Sequence, residues 1–309
     1  MPTLGASPET RGSRCDPVSR EVEIAPGVHM PRLALGTFRV RGEDARRVVA
    51  DAVVAGYAHV DTASCYRNEE DVARALAALA RDHPASQRVF LTSKLSPRDM
   101  RDPDTALDGI LCRLNLDPRD RPLDLALIHW PGVDKLPPND PEHAHRRRVA
   151  WIALERAHRR GAVRAIGVSN YTLEHLRELV AHAEILPAVN QMELHPRCQQ
   201  PDVVRGARAL GIHPWAYSPL GAGALLEDPR VVEAARRLGC EPAHALVGWG
   251  LRRGTSVAAK SSSSSRAVDN LVEGWRVARA AGEDAEAAFA ALDGMDDGTR
   301  FCWDPNVVR

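Results

Sequence analysis

Asp61, Lys94 and His129 each close a short apolar run, and the same placement recurs at Ser169-Asn170, Gln191, Tyr217 and Lys260. A carboxylate, an ammonium and an imidazole are side chains that move protons or stabilise developing charge. Hydroxyl and carboxamide groups, in turn, hold a ligand by hydrogen bonds. Singly, each position has an ordinary explanation: Asp61 as a helix cap, Lys94 as a surface charge, His129 as a satisfied core histidine. Seven such positions, each at the end of a different run, are much harder to ascribe to packing. They predict a site where the runs converge.

The elements that would carry these residues alternate from about residue 32 between short β-branched runs and longer segments of helical period, the pattern of βαβ units. The predicted strands are Arg32–Phe38, His59–Ala63, Val89–Leu95, Leu123–Pro131, Val163–Asn170, Ala188–Leu194, His213–Leu220 and Ser256–Ser261, each followed by a helical segment. Eight such units make an α/β fold, a (β/α)8 TIM barrel, whose active site lies at the C-terminal strand ends. EVEIAPGVHMPRL reads as an N-terminal β-hairpin turning at Pro26-Gly27, and Asp284–Met295 as an extra C-terminal helix. Residues 21–309 are expected to form one barrel domain, after a disordered extension over residues 1–20. A Rossmann domain is disfavoured: no G-x-G-x-x-G follows the first strand, and Gly221-Ala222-Gly223 lacks the third glycine and the register.

Helical stripes support this order. Ala45, Val48, Val49, Ala52 and Val53 share one face, as do Val72, Ala75, Leu76 and Leu79, and later Leu173, Leu176 and Val180. Asn68 is read as the N-cap of the second stripe's helix, with Glu69, Glu70 and Asp71 in its first turn against the helix dipole. The basic clusters His145 to Arg148 and Arg156 to Arg160 are read as a solvated helix face.

Lys+Arg and Asp+Glu number 41 each, so no net field favours nucleic acid, an anionic membrane or acidic substrates, and a small neutral ligand is more natural. Six scattered cysteines without a C-x-x-C pair suit reduced thiols in a cytoplasmic protein and argue against zinc. The first twenty residues have no apolar core of a signal peptide, and no apolar run is long enough to span a bilayer.

From about Glu21 to Pro305 the sequence also resembles the aldo-keto reductase family. GYAHVDTASCYRNEEDVARAL is similar to the family's first signature, which supplies an Asp and, five residues on, a Tyr, here Asp61 and Tyr66. LTSKL resembles the segment bearing its Lys, here Lys94, and LDLALIHWPG the one bearing its His, here His129. AIGVSN, VNQMELHP and AYSPLGAG resemble cofactor segments in the family's order. The resemblance implies NADP(H) as cofactor, with Ser169, Asn170 and Gln191 on the nicotinamide amide and Tyr217 on the ring face. It also takes Ser218, Leu220 and Gly221 as cofactor-binding. In AAKSSSSSRAVDNL it implies Lys260 and Ser261 facing the adenosine 2′-phosphate, Arg266 stacking on adenine and Asn270 bonding to it. The five serines from Ser261 replace the family's usual mixed segment, which would weaken discrimination against NADH, and Leu194 and Phe38 replace a common aromatic residue and a common Trp.

The chemistry that follows is reduction of a carbonyl compound. Hydride transfer belongs to the cofactor, while the protein positions the carbonyl and supplies a proton. Tyr66 would be the proton donor. A phenol of pKa about 10 is a weak acid near neutrality, so Lys94 is expected to lower it. Asp61 would hold Lys94 charged and oriented, and His129 would donate a hydrogen bond to the substrate oxygen. Phe38, Trp130 and the tail around Trp303 would wall the substrate pocket, and Cys65 is read as a small packing residue. Two rivals remain: a barrel glycosidase using Asp61 and Glu193 as its carboxylates, and a slow redox-sensing subunit like the potassium-channel β subunits that share this fold. The resemblance implies a monomer.

Overall fold

A computed structural model describes residues 19–308 of the chain. The extension predicted to be disordered lies, up to residue 18, outside the described residues. An antiparallel hairpin, β1 (Glu21–Ala25) and β2 (Val28–Pro31), comes first. The barrel strands are β3 (Leu33–Gly36), β4 (His59–Asp61), β5 (Phe90–Leu95), β6 (Leu123–Ile128), β7 (Val163–Ser169), β8 (Val189–Glu193), β9 (His213–Tyr217) and β10 (Ser256–Lys260). They pair in parallel and in sequence order, and β10 returns to β3 to close the barrel. Between them run α1 (Gly42–Val54), α2 (Glu69–Leu79), α3 (Pro103–Arg113), α4 (Glu142–Arg159), α5 (Leu173–Val180) and α6 (Pro201–Ala209). After β9 come α7 (Pro229–Arg237) and α8 (Pro242–Arg252), and after β10 come α9 (Ser264–Ala278) and α10 (Glu283–Asp293). The predicted α/β barrel, hairpin and C-terminal helix are therefore present. Seven of the eight strands end one to three residues earlier than predicted, β5 ending at Leu95 as expected; after β7 and β9 the chain turns at Asn170 and Ser218, φ 64° and 48°.

Two cores follow from the two-residue strand period. Ala34, Phe90, Leu125, Leu127, Ala165, Val189, Trp215 and Ala258 fill the inside, and Val22, Ile24, Val28 and Met30 of the hairpin join the same cluster. Alternate residues, such as Leu91, Ala126, Ile166 and Val257, belong to the core shared with the helices. Each fully buried side chain of this size contributes roughly 1.5 to 3 kcal/mol. The hairpin thereby plugs the N-terminal end of the barrel, leaving the other end for a site.

The predicted helix stripes are core: Ala45, Val48, Val49, Ala52 and Val53 are all buried on α1. One region is more elaborate than the periodicity predicts. The segment after β9 contains two helices, and α7 lies outside the barrel with α10, where Val231, Ala234, Phe289 and Leu292 pack with Trp249 of α8. Two local readings are corrected. Asn68 stands at the N-cap of α2 but makes no capping bond with its side chain; Nδ2 donates to the carbonyls of Thr37 and Val40, and Oδ1 accepts from Thr62. Glu69, Glu70 and Asp71 do stand in the first turn of α2, as expected, and the buried Glu69 also pairs with Arg113. Arg147 does not belong to a solvated face: it is 2% exposed and reaches Glu178 and the Pro131 carbonyl.

The interior also carries neutral histidines. Burial pushes His59 and His213 down to about 3, and His175 down to about 4. An unfolded histidine titrates near 6.5, so below that pH the unfolded chain binds protons that the folded chain refuses. Stability is therefore fully present above pH 6.5 and falls as pH drops towards these depressed values. Urea unfolding should show a lower midpoint at pH 5 than at pH 7, with a loss on the order of a few kcal/mol. Equal midpoints would contradict the burial of these rings in neutral form.

Candidate active site

Strand register explains why the polar residues meet. Lys94 follows inward-facing Phe90 by four residues, His129 follows Leu127 by two, and Ser169 follows Ala165 by four; Gln191, Tyr217 and Lys260 each follow an inward residue (Val189, Trp215, Ala258) by two. The same parity that fills the barrel thus carries these side chains to the layer above the apolar filling.

At the bottom of that layer, Lys94 Nζ donates to Asp61 Oδ1 at 2.7 Å and to the Thr62 carbonyl at 2.8 Å. Both side chains are buried, at 0% and 6% exposure. Burial raises the Asp61 carboxyl, and the adjoining Lys94 charge and hydrogen bond work against that rise. Above them, Tyr66 sits in a short turn (Ser64–Tyr66), with Oη 3.4 Å from His129 Nε2. Cys65 Sγ lies 3.4 Å from the same ring's Nδ1. Burial, and then the Lys94 charge, hold His129 well below the ordinary histidine range, so the imidazole is neutral.

The expected tuning of Tyr66 is not what the structure shows. Burial, and next the Asp61 charge, push the phenol well above its ordinary range. Lys94 Nζ lies 5.2 Å from the Tyr66 ring centroid, and its hydrogen bonds go to Asp61 and Thr62. Tyr66 is consequently a fully protonated phenol at neutral pH, the form a proton donor requires.

Around this centre, Tyr217 Oη donates to Asn170 Oδ1 at 2.7 Å, and Asn170 Nδ2 donates to the His129 carbonyl and to Ser169 Oγ, both at 3.0 Å. Ser169 Oγ donates to the Gln191 carbonyl at 2.8 Å. Gln191 faces Asp61, yet its buried Nε2 has no partner at bonding distance, a donor open to an amide. Ser218 Oγ lies 3.3 Å from Cys302 Sγ. Gly221 follows Leu220 at φ 56°, and a Cβ there would meet Leu225 and Phe301 at under 3 Å, so only glycine fits.

At the far end of the face, Lys260 has no hydrogen bond or ion pair among the described residues. It is held below its ordinary value by desolvation first, then by the charges of Arg266 and Arg39. Arg39 lies over the Phe38 ring at 5.1 Å, and none of the three cations has an ion pair among the described residues, an arrangement near a helix N-terminus that suits an anion. Arg39 escaped the sequence reading; its signal was a cation three residues past β3. Ser261 spends its hydroxyl inside the turn, donating to the Ser263 carbonyl and accepting from its N–H. Ser263 caps α9, so the serine run is an ordered turn and helix start, and Asn270 is buried on α9. These residues fit a dinucleotide with a phosphate at the adenosine end.

Phe38 packs on Tyr66 with centroids 5.2 Å apart, and Trp303 meets the edge of Phe38 at 6.5 Å. Trp130, half-buried after His129, makes no ring contact with them among the described residues. Glu193, a candidate carboxylate of the glycosidase reading, is fully buried. Its buried Oε1 accepts from the Phe301 and Cys302 N–H groups and from His195 Nε2, which pins the tail across the barrel mouth. With Glu193 so occupied and Asp61 bound to Lys94, neither carboxylate of the glycosidase reading is free. A cavity of about 810 Å³ lies beside the site, lined by Arg41, Cys65, Arg67, Arg98 and Asp99 among others; neither Tyr66 nor His129 lines it.

A closed parallel barrel whose polar residues meet at the C-terminal strand ends, with Tyr66 and His129 above a buried Lys94–Asp61 pair, places the chain among the eight-stranded α/β barrels. The sequence profile of the Aldo/keto reductase family matches residues 32–273. The chain belongs to that family. It is 36% identical over 291 residues to an aldo-keto reductase of Mycobacterium sp. (strain KMS), covering 93% of this chain and 97% of the relative. It is 37% identical over 252 residues to the glyoxal reductase of Bacillus subtilis (strain 168), covering 81% and 85%. Among solved structures, a Bombyx mori aldo-keto reductase in complex with NADP superposes with a TM-score of 0.78 at 26% identity, covering 93% and 95%. Among the described residues no helix is long and apolar enough to cross a membrane.

Proposed function

We propose that this chain is an NADPH-dependent reductase that converts an aldehyde or ketone to the alcohol, with Tyr66 as proton donor. The observation that carries the reading is the convergence of a neutral imidazole and a protonated phenol, 3.4 Å apart, above a buried Lys94–Asp61 pair. NADPH, when bound, supplies the hydride that reaches the carbonyl carbon. Tyr66 Oη gives its proton to the carbonyl oxygen as charge develops there; an alkoxide is a stronger base than a phenolate, so a raised phenol still delivers. His129 Nε2 directs the oxygen by a hydrogen bond. Lys94 places positive charge beneath the phenolate left behind, and Asp61 keeps Lys94 in place.

Gln191, with Ser169 and Asn170, would take the nicotinamide amide, Tyr217 its ring face, and Ser218, Leu220 and Gly221 the stretch beyond. Lys260 and Arg39 would hold the 2′-phosphate end beside Ser261, with Arg266 and Asn270 on adenine. The apolar wall of Phe38, Trp130 and Trp303 favours an apolar or aromatic carbonyl compound, and the name of the Bacillus subtilis relative supports carbonyl reduction. The same reading takes residues 21–309 as one barrel unit acting as a cytoplasmic monomer. Purified protein given NADPH and a panel of aliphatic and aromatic aldehydes should consume the cofactor over many turnovers, followed at its absorbance band. A single slow stoichiometric oxidation would favour the redox-sensing subunit instead.

A further inference from the structure

We propose that Cys65 is a positioning residue that fixes the tautomer of His129, its thiol donating to Nδ1 so that the ring proton stays on Nε2. The proposal rests on the reading of Tyr66 as proton donor and adds a residue to it. Cys65 and Tyr66 are neighbours in one short turn that follows extended Ala63 and ends at Arg67 in the left-handed region, φ 56°. Their side chains take the two nitrogens of one imidazole: Sγ is 3.4 Å from Nδ1, and Oη is 3.4 Å from Nε2. Among the described residues neither ring nitrogen has another hydrogen-bond partner, so the choice of tautomer falls to these two groups.

The two tautomers have opposite consequences. With the proton on Nδ1, bare Nε2 would accept from the Tyr66 hydroxyl and divert the proton the substrate needs. With the proton on Nε2, imidazole and phenol both present donors to one carbonyl oxygen. The Oη–Nε2 separation is longer than a firm O–H···N bond, so the phenol proton is not committed to the ring. Cys65 has the protonation state its role requires: the residue is exposed at its edge, but desolvation where its sulfur meets the ring raises the thiol, which stays S–H at neutral pH. An S–H group is a weak donor but imidazole nitrogen is a good acceptor, and a sulfur to nitrogen distance of 3.4 Å suits that bond.

The test uses full-length protein labelled with ¹⁵N in its histidines, with the His129 signals identified by their absence in His129→Gln. Long-range ¹H–¹⁵N correlation should show a protonated Nε2 and a bare Nδ1. Cys65→Val should shift the ring towards the other tautomer or a mixture and lower kcat by about five- to tenfold, with little change in KM. Cys65→Ser, which keeps a donor, should restore both the spectrum and the turnover. A wild-type ring protonated on Nδ1 would overturn the proposal, as would a Cys65→Val variant whose tautomer is unchanged, whatever its activity. If the wild type shows the expected tautomer but Tyr66→Phe reduces carbonyls normally, the functional reading fails while the assignment of Cys65 to the ring stands.

Discussion

Tyr66→Phe should abolish most carbonyl reduction, lowering kcat by about 10² to 10⁴, while NADPH still binds with near-normal affinity. The substitution removes one oxygen and keeps the ring that packs on Phe38 and over Lys94, so neither the wall of the pocket nor the Lys94–Asp61 pair is disturbed. What is lost is the proton donor and one of the two hydrogen bonds on the developing alkoxide. Stopped-flow turnover with an excess of aldehyde reads the chemical step, and fluorescence titration reads cofactor binding separately. Near-normal turnover in the variant would sink the assignment of Tyr66.

Lys260→Ala should weaken NADPH binding by about tenfold or more and leave NADH nearly unchanged, because only the former carries the 2′-phosphate. In the unmutated protein a charge-assisted hydrogen bond is worth about 1.5 to 3 kcal/mol, so one or two such contacts give a preference for NADPH of about tenfold to several-hundredfold. The serines of 261 to 265 are of less help than their number suggests, since Ser261 and Ser263 are bonded within the turn and the helix cap. Arg39 offsets that loss by bringing a third cation to Lys260 and Arg266. Both cofactors can be titrated by quenching of tryptophan fluorescence. Equal affinities in the unmutated protein would show that this cluster does not bind the phosphate.

The barrel and the identity of its polar strand ends were legible in the sequence because both depend on short periods. A two-residue alternation along each strand fixes which side chains face inward, so Lys94, His129, Gln191 and Tyr217 could be placed by counting from the apolar runs. Helical stripes such as Ala45 to Val53 likewise declare their buried face through 3.6-residue spacing. The motif around Asp61 and Tyr66 added the family to that frame.

Tertiary structure decided what depends on groups distant in the chain. The sequence could offer Asn68 as a cap, but only closure of the barrel brings Thr37, Val40 and Thr62 around its carboxamide, where three hydrogen bonds outweigh one cap. It could name Lys94 as the partner of Tyr66, but burial raised the phenol, since desolvation reflects every atom packed around the hydroxyl and no local spacing encodes that. Arg39 joined the cations of α9 because β3 is hydrogen-bonded to β10, more than two hundred residues later. Glu193 became a clamp on the tail for the same reason, its carboxylate reaching the N–H groups of Phe301 and Cys302 across the mouth of the barrel. Local period sets which way a side chain points; which partner it finds there is set by closure, which no single segment contains.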